Sequence, residues 1–310
     1  MYPIKFENLY YEKIWGGRDF KVFRDNLPSG NIGESWDVAC HENGMSIVQN
    51  GKYKGLSLEK LIEKKGIKLL GNNFKKNEFP MLVKLINSKE KLSVQVHPND
   101  EYAKKVENSM GKTEVWYIID SRPGSYIIVG TKNCNKEIFE KAINEGEISK
   151  YLNKIEVKKG DCFLIKSGMV HAICEGVVIA EIQQNSDITY RIYDYGRPRE
   201  IHIEKSLDVI DFSTRAINLG KISLNEYGQY KKGILCSCEH FTIEKYIING
   251  FLNEDSDEDR FFLFTCVEGD GIIYSNDYCV DINKGDSIMI PAYLGNYNLK
   301  GKFTLIKSYV

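Results

Sequence analysis

The sequence predicts a mainly β protein made of two jelly-roll β-barrels packed together, the first with helical insertions and the second degenerate. Two observations carry that expectation. Short runs rich in β-branched and aromatic residues alternate with Gly, Pro, Asn and Asp turns along most of the chain, and helical spacing is confined to a few segments. The stretch Val157 to His171 (VKKGDCFLIKSGMVH) also lines up without a gap on Ile282 to Asn296 (INKGDSIMIPAYLGN), so one strand, Gly-Asp corner and strand unit occurs twice. Asn296 stands where His171 stands in the first copy, and the second barrel is expected to have lost that group.

Residues 1–50 read as short strands and loops, with turns at Gly16-Gly17, Pro28-Ser29-Gly30 and Glu42-Asn43-Gly44. Within them, residues 33–38 form a strand that carries Glu34 and Trp36 on one face. From Leu56 to Leu70 leucine and isoleucine recur at helical spacing behind a Ser57 cap. Residues 79–97 return to strand character, as two strands joined through 87–90. A helix over Asn99–Lys112 follows, then the strand TEVWYIID, then a second amphipathic helix over 134–152. Residues 154–197 supply five or more strands, IHIEKSLDVID supplies a short helix, and the remainder is strand. The acidic run 253–260, NEDSDEDR, is expected to be a solvated loop; it lacks the glycine and the closing glutamate of a calcium-binding EF-hand loop.

With 42 basic and 43 acidic residues the net charge is −1, which removes bulk charge as a reason to bind nucleic acid or a membrane surface. The first 20 residues mix charges with aromatics and have no signal-peptide core, and no window approaches the roughly 20 apolar residues of a membrane span. A cytoplasmic protein, monomeric or weakly dimeric, is expected. The eight cysteines contain no C-x-x-C pair, the closest being Cys236 and Cys238, and they read as small buried hydrophobes.

The chemistry centres on residues 93–100, SVQVHPND. Ser93, Gln95 and His97 project from one face of a short strand, Val94 and Val96 from the other, and Pro98-Asn99-Asp100 closes it. Glu114 and His171 lie on other strands, and in a barrel such inward residues converge. Two imidazoles, a carboxylate and an amide oxygen form a mixed N/O set suited to zinc or another first-row divalent ion. His41, His202 and His240 have no such company and read as ordinary residues.

Five motifs, YEKIWGGRDF, FPMLVKLINSKEKLSVQVHPND, GKTEVWYIID, GDCFLIKSGMVHAI and EIQQNSDITYRIYDYGR, in this order resemble the type I phosphomannose isomerases of the cupin superfamily, in their short bacterial form. The resemblance runs from about residue 2 to residue 215. It implies a metal-binding catalytic cupin domain over 1–215 and a degenerate cupin-like domain over 216–310. It also implies one zinc ion per chain, held by Gln95, His97, Glu114 and His171, and a sugar phosphate as the small-molecule partner. Lys84, Lys112, Glu181 and Arg191 match the family's catalytic pocket. Ser93, Trp15 and Glu34 match its substrate-binding positions, and Arg197 stands where a further phosphate-facing group is expected. Trp15 reads more as packing than as chemistry.

The implied reaction is the zinc-dependent interconversion of mannose 6-phosphate and fructose 6-phosphate, by proton transfer through an enediolate. Charge then builds on two neighbouring oxygens, which a metal or a guanidinium such as Arg191 stabilises while an acid–base group moves the proton. Lys84, Lys112 and Glu181 all remain open as that group. For the phosphate the candidates are Arg191, Arg197 and one lysine. A metal-containing cupin that binds or senses sugar phosphates without catalysis would use the same four ligands, but it gives no reason for Lys84, Lys112, Glu181 and Arg191 to occur together. An iron oxygenase would need a less typical ligand set.

Overall fold

A computed structural model describes residues 1–74, 79–276 and 278–310. Its strands form two lobes, and the first is two open sheets laid face to face. One has six strands in the spatial order Cys162–Ile165, Glu114–Ser121, Val177–Gln184, Met81–Ser88, Ile32–Val38 and Leu9–Gly17. The other has five, in the order Leu152–Glu156, Tyr126–Thr131, His171–Ile173, Val94–Val96 and Tyr190–Tyr193. The second lobe is an eight-stranded sheet with Phe262–Ser275, Asn296–Tyr309 and Thr242–Asp255 at its centre.

The expected closed barrels are not formed. Closure requires backbone hydrogen bonds between the first and last strands of a sheet, and among the described residues the end strands of all three large sheets have no such partner. The short strands instead meet through side chains. Ile86, Trp116, Ile118 and Ile179 of the six-stranded sheet share one buried cluster with Ile127, Val129 and Ile173 of the five-stranded sheet.

Alternation along each strand assigns its two faces. Val83, Leu85, Val115, Tyr117 and Ile119 leave the six-stranded sheet on its outer side and pack against Leu235, Ile243, Leu263, Met289 and Ile306 of the second lobe. Leu58, Leu61 and Ile62, from one face of the helix Leu58–Lys65, join that cluster. Val94 and Val96 leave the five-stranded sheet outward, toward Phe139 and Leu207 of the helices Lys136–Asn144 and Ile203–Val209. The polar partners of all these residues therefore point into the space between the two sheets of the first lobe.

The sequence repeat is a repeat in structure. Gly160 and Gly285 both adopt φ +91°, a region glycine enters without a Cβ penalty. In each copy the following aspartate folds its carboxylate back, so that Oδ2 accepts from the backbone N–H of Lys158 or Asn283. The ends diverge as expected: His171 is buried, whereas Asn296 is exposed and bonds to Asn253, Glu254 and Asp255.

Several local expectations need correction. The helix expected over 56–70 breaks at Gly66, φ +49°, into Leu58–Lys65 and Ile67–Leu70. The helix at 99–112 is shorter, Asp100–Glu107, with Asn99 as its cap, and the one at 134–152 spans Lys136–Asn144 before a 3-10 turn. The acidic run is no solvated loop at its start, because Asn253, Glu254 and Asp255 end a long strand. Glu254 points inward there, with Lys232 3.0 Å and Lys307 3.3 Å away, and the hydroxyls of Tyr246 and Tyr297 donate to it. Alternation had placed a charge inside, and two lysines neutralise it. Cys162, Cys174 and Cys266 are buried as expected, but Cys279 is exposed. No helix among the described residues is long and apolar enough to cross a membrane.

The lobes are also joined by charge. Asp37, on the strand Ile32–Val38 but on the face opposite Glu34 and Trp36, accepts hydrogen bonds from Arg24 at 2.8 Å, Ser35 at 2.6 Å and Asn8 at 2.9 Å. Arg24 bonds in turn to the Gly285 carbonyl of the second Gly-Asp corner; within the eight-stranded sheet, Lys5 of its edge strand Ile4–Lys5 pairs with Asp286 at 2.6 Å. The Arg24–Asp37 pair is buried. Arg24→Met should therefore strand the Asp37 carboxylate and lower unfolding stability by about 3–5 kcal/mol in urea titrations; a change below about 1 kcal/mol would mean that solvent reaches the seam.

Candidate metal centre and cavity

Between the two sheets, the strand pairing brings the expected ligands to one point. His171 is the register partner of Gln95 in the five-stranded sheet, and Glu114 opens a strand of the six-stranded sheet, paired there with Gln183. The Nε2 atoms of His97 and His171 lie 3.1 Å apart. Each is 3.7 Å from a different oxygen of Glu114, and all three side chains are buried. The Gln95 amide reaches His171 Nε2 at 3.2 Å, and a 180° turn of that amide presents its oxygen instead.

The donor set fits a cation. His97 Nδ1 is 2.7 Å from the Ile188 carbonyl, and His171 Nδ1 is 2.8 Å from that of Met169. A carbonyl only accepts, so both Nδ1 atoms carry the hydrogen and both Nε2 lone pairs face one another. Burial pushes both imidazoles down, His97 well below its ordinary range and His171 to about 4, so both are neutral at pH 7. Among the described residues Glu114 Oε1 has no hydrogen-bond donor, and Oε2 has the Lys112 ammonium 2.9 Å away. Two opposed lone pairs beside a buried carboxylate would be compensated by a divalent ion, and His97, Glu114 and His171 with Gln95 are the residues that would hold it.

A cavity opens from this point, and Trp15, Glu34, Lys84, Ser93, Gln95, Lys112, Glu181 and Arg191 line it together. Trp15 serves both readings given by the sequence, since it is buried in the apolar cluster and also faces the cavity. Arg197 is not brought to this cavity: its guanidinium bonds to the Asp194 and Lys91 carbonyls and lies over Tyr195, in a separate surface groove. Arg199 lines the cavity in its place, gripped by two bonds to Asp194 of 2.6 and 2.7 Å.

Other contributions had no signal in the sequence. Trp116 Nε1 donates to Glu181 at 3.0 Å and Trp36 Nε1 to Glu34 at 2.8 Å, so two indoles fix two carboxylates. Lys13, Asp187 and Thr189 line the rim. The histidines expected to lack partners have them: His202 Nδ1 accepts from the Arg191 backbone N–H, His41 lies 3.7 Å from Asp187, and His240 lies 3.8 Å from Asp100. A side chain's pairing across strands or loops leaves no mark on its neighbours in the chain.

The two buried lysines differ. Lys112 Nζ lies 2.9 Å from Glu114 and 3.8 Å from Glu181. Burial pulls its pKa down, but the carboxylates outweigh burial and hold it above the ordinary lysine range. Lys84 sits 4.0 Å from both Glu34 and Glu181 and over the Trp36 ring. There burial wins, and the ammonium is held less tightly than in water. Glu181 is pushed up by burial and by Glu114. Glu114→Gln and His171→Ala protein purified with zinc should each hold less than about a tenth of an equivalent by elemental analysis; full zinc in His171→Ala would refute the ligand set.

Comparison with known proteins agrees with this geometry. Residues 4–131 match the family model described as phosphomannose isomerase type I, catalytic domain, and residues 231–310 match mannose-6-phosphate isomerase, cupin domain. The chain is 38% identical over 315 residues to the mannose-6-phosphate isomerase ManA of Bacillus subtilis, covering 99% of each protein. It is 36% identical to the mannose-6-phosphate isomerase of Streptococcus mutans, over 99% of this chain and 98% of that one. The crystal structure of the mannose 6-phosphate isomerase from Bacillus subtilis superposes with a TM-score of 0.93, covering 100% of both chains at 34% identity. With its paired imidazoles and carboxylate under a lysine-lined cavity, the chain belongs to the type I mannose-6-phosphate isomerase family of the cupin superfamily.

Proposed function

We propose that this protein is a zinc-dependent mannose-6-phosphate isomerase, interconverting mannose 6-phosphate and fructose 6-phosphate. The observation that carries the reading is the His97, Glu114 and His171 cluster at the base of a cavity lined by Lys84, Lys112, Glu181 and Arg191. A zinc ion bound there supplies Lewis-acid stabilisation of negative charge on a substrate oxygen.

The protein's own groups supply the rest. The reaction removes the C2 proton of the open-chain aldose and returns a proton to C1 while the O2 hydroxyl proton passes to O1, and the reverse for the ketose. Lys84, whose ammonium is destabilised by burial, is the group we assign to that transfer. Lys112 stays cationic beside Glu114 and faces charge developing on the substrate oxygens. Glu181, fixed by Trp116, sets its Oε1 between the two ammonium groups, 4.0 Å from Lys84 and 3.8 Å from Lys112. Arg191 and Arg199 take the phosphate, with Ser93 as a neutral donor, and the bond from Arg191 Nη1 to the Glu200 carbonyl orients that guanidinium. Apolar walls from Trp15, Ile86, Leu92 and Ile173 exclude water from the reacting carbons.

A coupled assay of mannose 6-phosphate conversion tests the reading. Activity should vanish with chelator and return with zinc, and Arg191→Ala should keep its zinc while losing about 100-fold or more in kcat/KM. A folded, zinc-loaded wild-type protein without activity would overturn the assignment.

We also propose that residues 1–215 are the catalytic unit and 216–310 a covering unit, since Leu235, Ile243, Leu263, Met289 and Ile306 cover the outer face of the catalytic sheet. Deleting 216–310 should then give insoluble protein; a soluble, active fragment would refute the covering role.

A further inference from the structure

Six charged side chains of alternating sign run from the cavity rim to the metal centre, in the order Lys13, Glu34, Lys84, Glu181, Lys112 and Glu114. Successive separations are 3.1, 4.0, 4.0, 3.8 and 2.9 Å. The row follows the sheet, crossing Leu9–Gly17, Ile32–Val38, Met81–Ser88 and Val177–Gln184 before reaching the strand that begins at Glu114. Lys84, Glu181, Lys112 and Glu114 are buried and Glu34 is half-buried, whereas the Lys13 side chain keeps 34% of its surface in solvent.

The outer end is built. A Cβ on Gly33 would lie 2.6 Å from Lys13 Cβ and 2.7 Å from both Lys13 Cγ and Trp15, so the bare backbone of Gly33 lets the Lys13 stem cross the strand. Lys13 Nζ then meets Glu34 Oε1, while Oε2 accepts from Trp36 and faces Lys84. Burial raises the Glu34 carboxyl, but Lys84, Lys13 and the Trp36 bond outweigh it and keep the group ionised.

Resting on the isomerase reading, we propose that Lys13 is a positioning residue: by sharing Glu34 with Lys84, it limits how strongly that carboxylate stabilises the Lys84 ammonium and so sets the pH at which Lys84 gives up its proton. Lys84 is faced by Glu34 and Trp36 from one strand, by Glu181 from another, and by Lys112 and Glu114 beyond it. Of the charges in this row, Lys13 is the one furthest from the metal. Removing its charge leaves Glu34 to Lys84 alone and removes a repulsion, both of which favour the Lys84 ammonium. Removing the charge of Glu34 does the opposite.

The test uses full-length, zinc-loaded protein and two readouts. In profiles of kcat/KM against pH, Lys13→Met should move the Lys84 limb to higher pH by about 0.5 or more and Glu34→Gln should move it lower, with Lys13→Arg restoring the wild-type profile. The Lys84 ε-carbon, followed by NMR in protein carrying 13C-labelled lysine and identified by its loss in Lys84→Arg, should titrate with the same shifts. An unmoved profile with a raised KM in Lys13→Met would make Lys13 a substrate contact and overturn the proposal, as would shifts of the same sign in Lys13→Met and Glu34→Gln. Should the wild type not isomerise mannose 6-phosphate, the functional reading fails alone, because the NMR titration still decides the role of Lys13.

Discussion

Glu114 is a carboxylate without exposed surface, and among the described residues its Oε1 has no hydrogen-bond donor. A charge in that position costs several kcal/mol unless another charge answers it, and much of the first lobe is arranged around the answer. Lys112 lies against one oxygen, and the lone pairs of His97 and His171 converge on the same space from the opposite sheet. The main-chain carbonyls of Ile188 and Met169 hold the two rings in the tautomer that points those lone pairs inward. The converging lone pairs leave room for a cation, and the cavity above is lined by Lys84, Lys112, Glu181 and Arg191.

The strand Ile32–Val38 connects this centre to the second lobe. Its one face carries Glu34 and Trp36 into the cavity, and its other face carries Ser35 and Asp37 to the seam with the Gly-Asp corner at 285–286. Strand alternation thus places a cavity-lining carboxylate and a structural carboxylate three residues apart, on opposite sides of one sheet. The repeated corner has also diverged in use: in the first lobe it precedes the strand bearing His171, and in the second it anchors Arg24 from the first lobe. A lost ligand in the second copy has become part of the surface, and the corner itself part of an interface.

Expectation and structure part company where sequence distance and spatial distance are unrelated. The open sheets are an example: alternating strands and turns specify which residues face inward, but whether two edge strands meet through backbone bonds depends on twist and strand length across the whole lobe. Glu254 looked solvated within a run of acidic neighbours, yet Lys232 and Lys307, remote in the chain, make its burial possible. Arg197 and Arg199 are two residues apart with the same chemistry. Which one reaches the cavity is decided by how Asp194 holds the turn between them.

By itself the sequence determined the strand-rich class, the two copies of the Gly-Asp unit, and the identity of the groups in the centre. Each of these depends on local alternation or on motifs whose order along the chain is visible. Only the tertiary structure decided that His97 and His171 present their Nε2 atoms 3.1 Å apart and that the sheets stay open. It alone also separated the two buried lysines, one held by adjacent carboxylates and the other loosened by burial. The physical reason is that protonation and metal affinity depend on distances and dielectric surroundings set by strands far apart in the chain, and residue type alone carries neither.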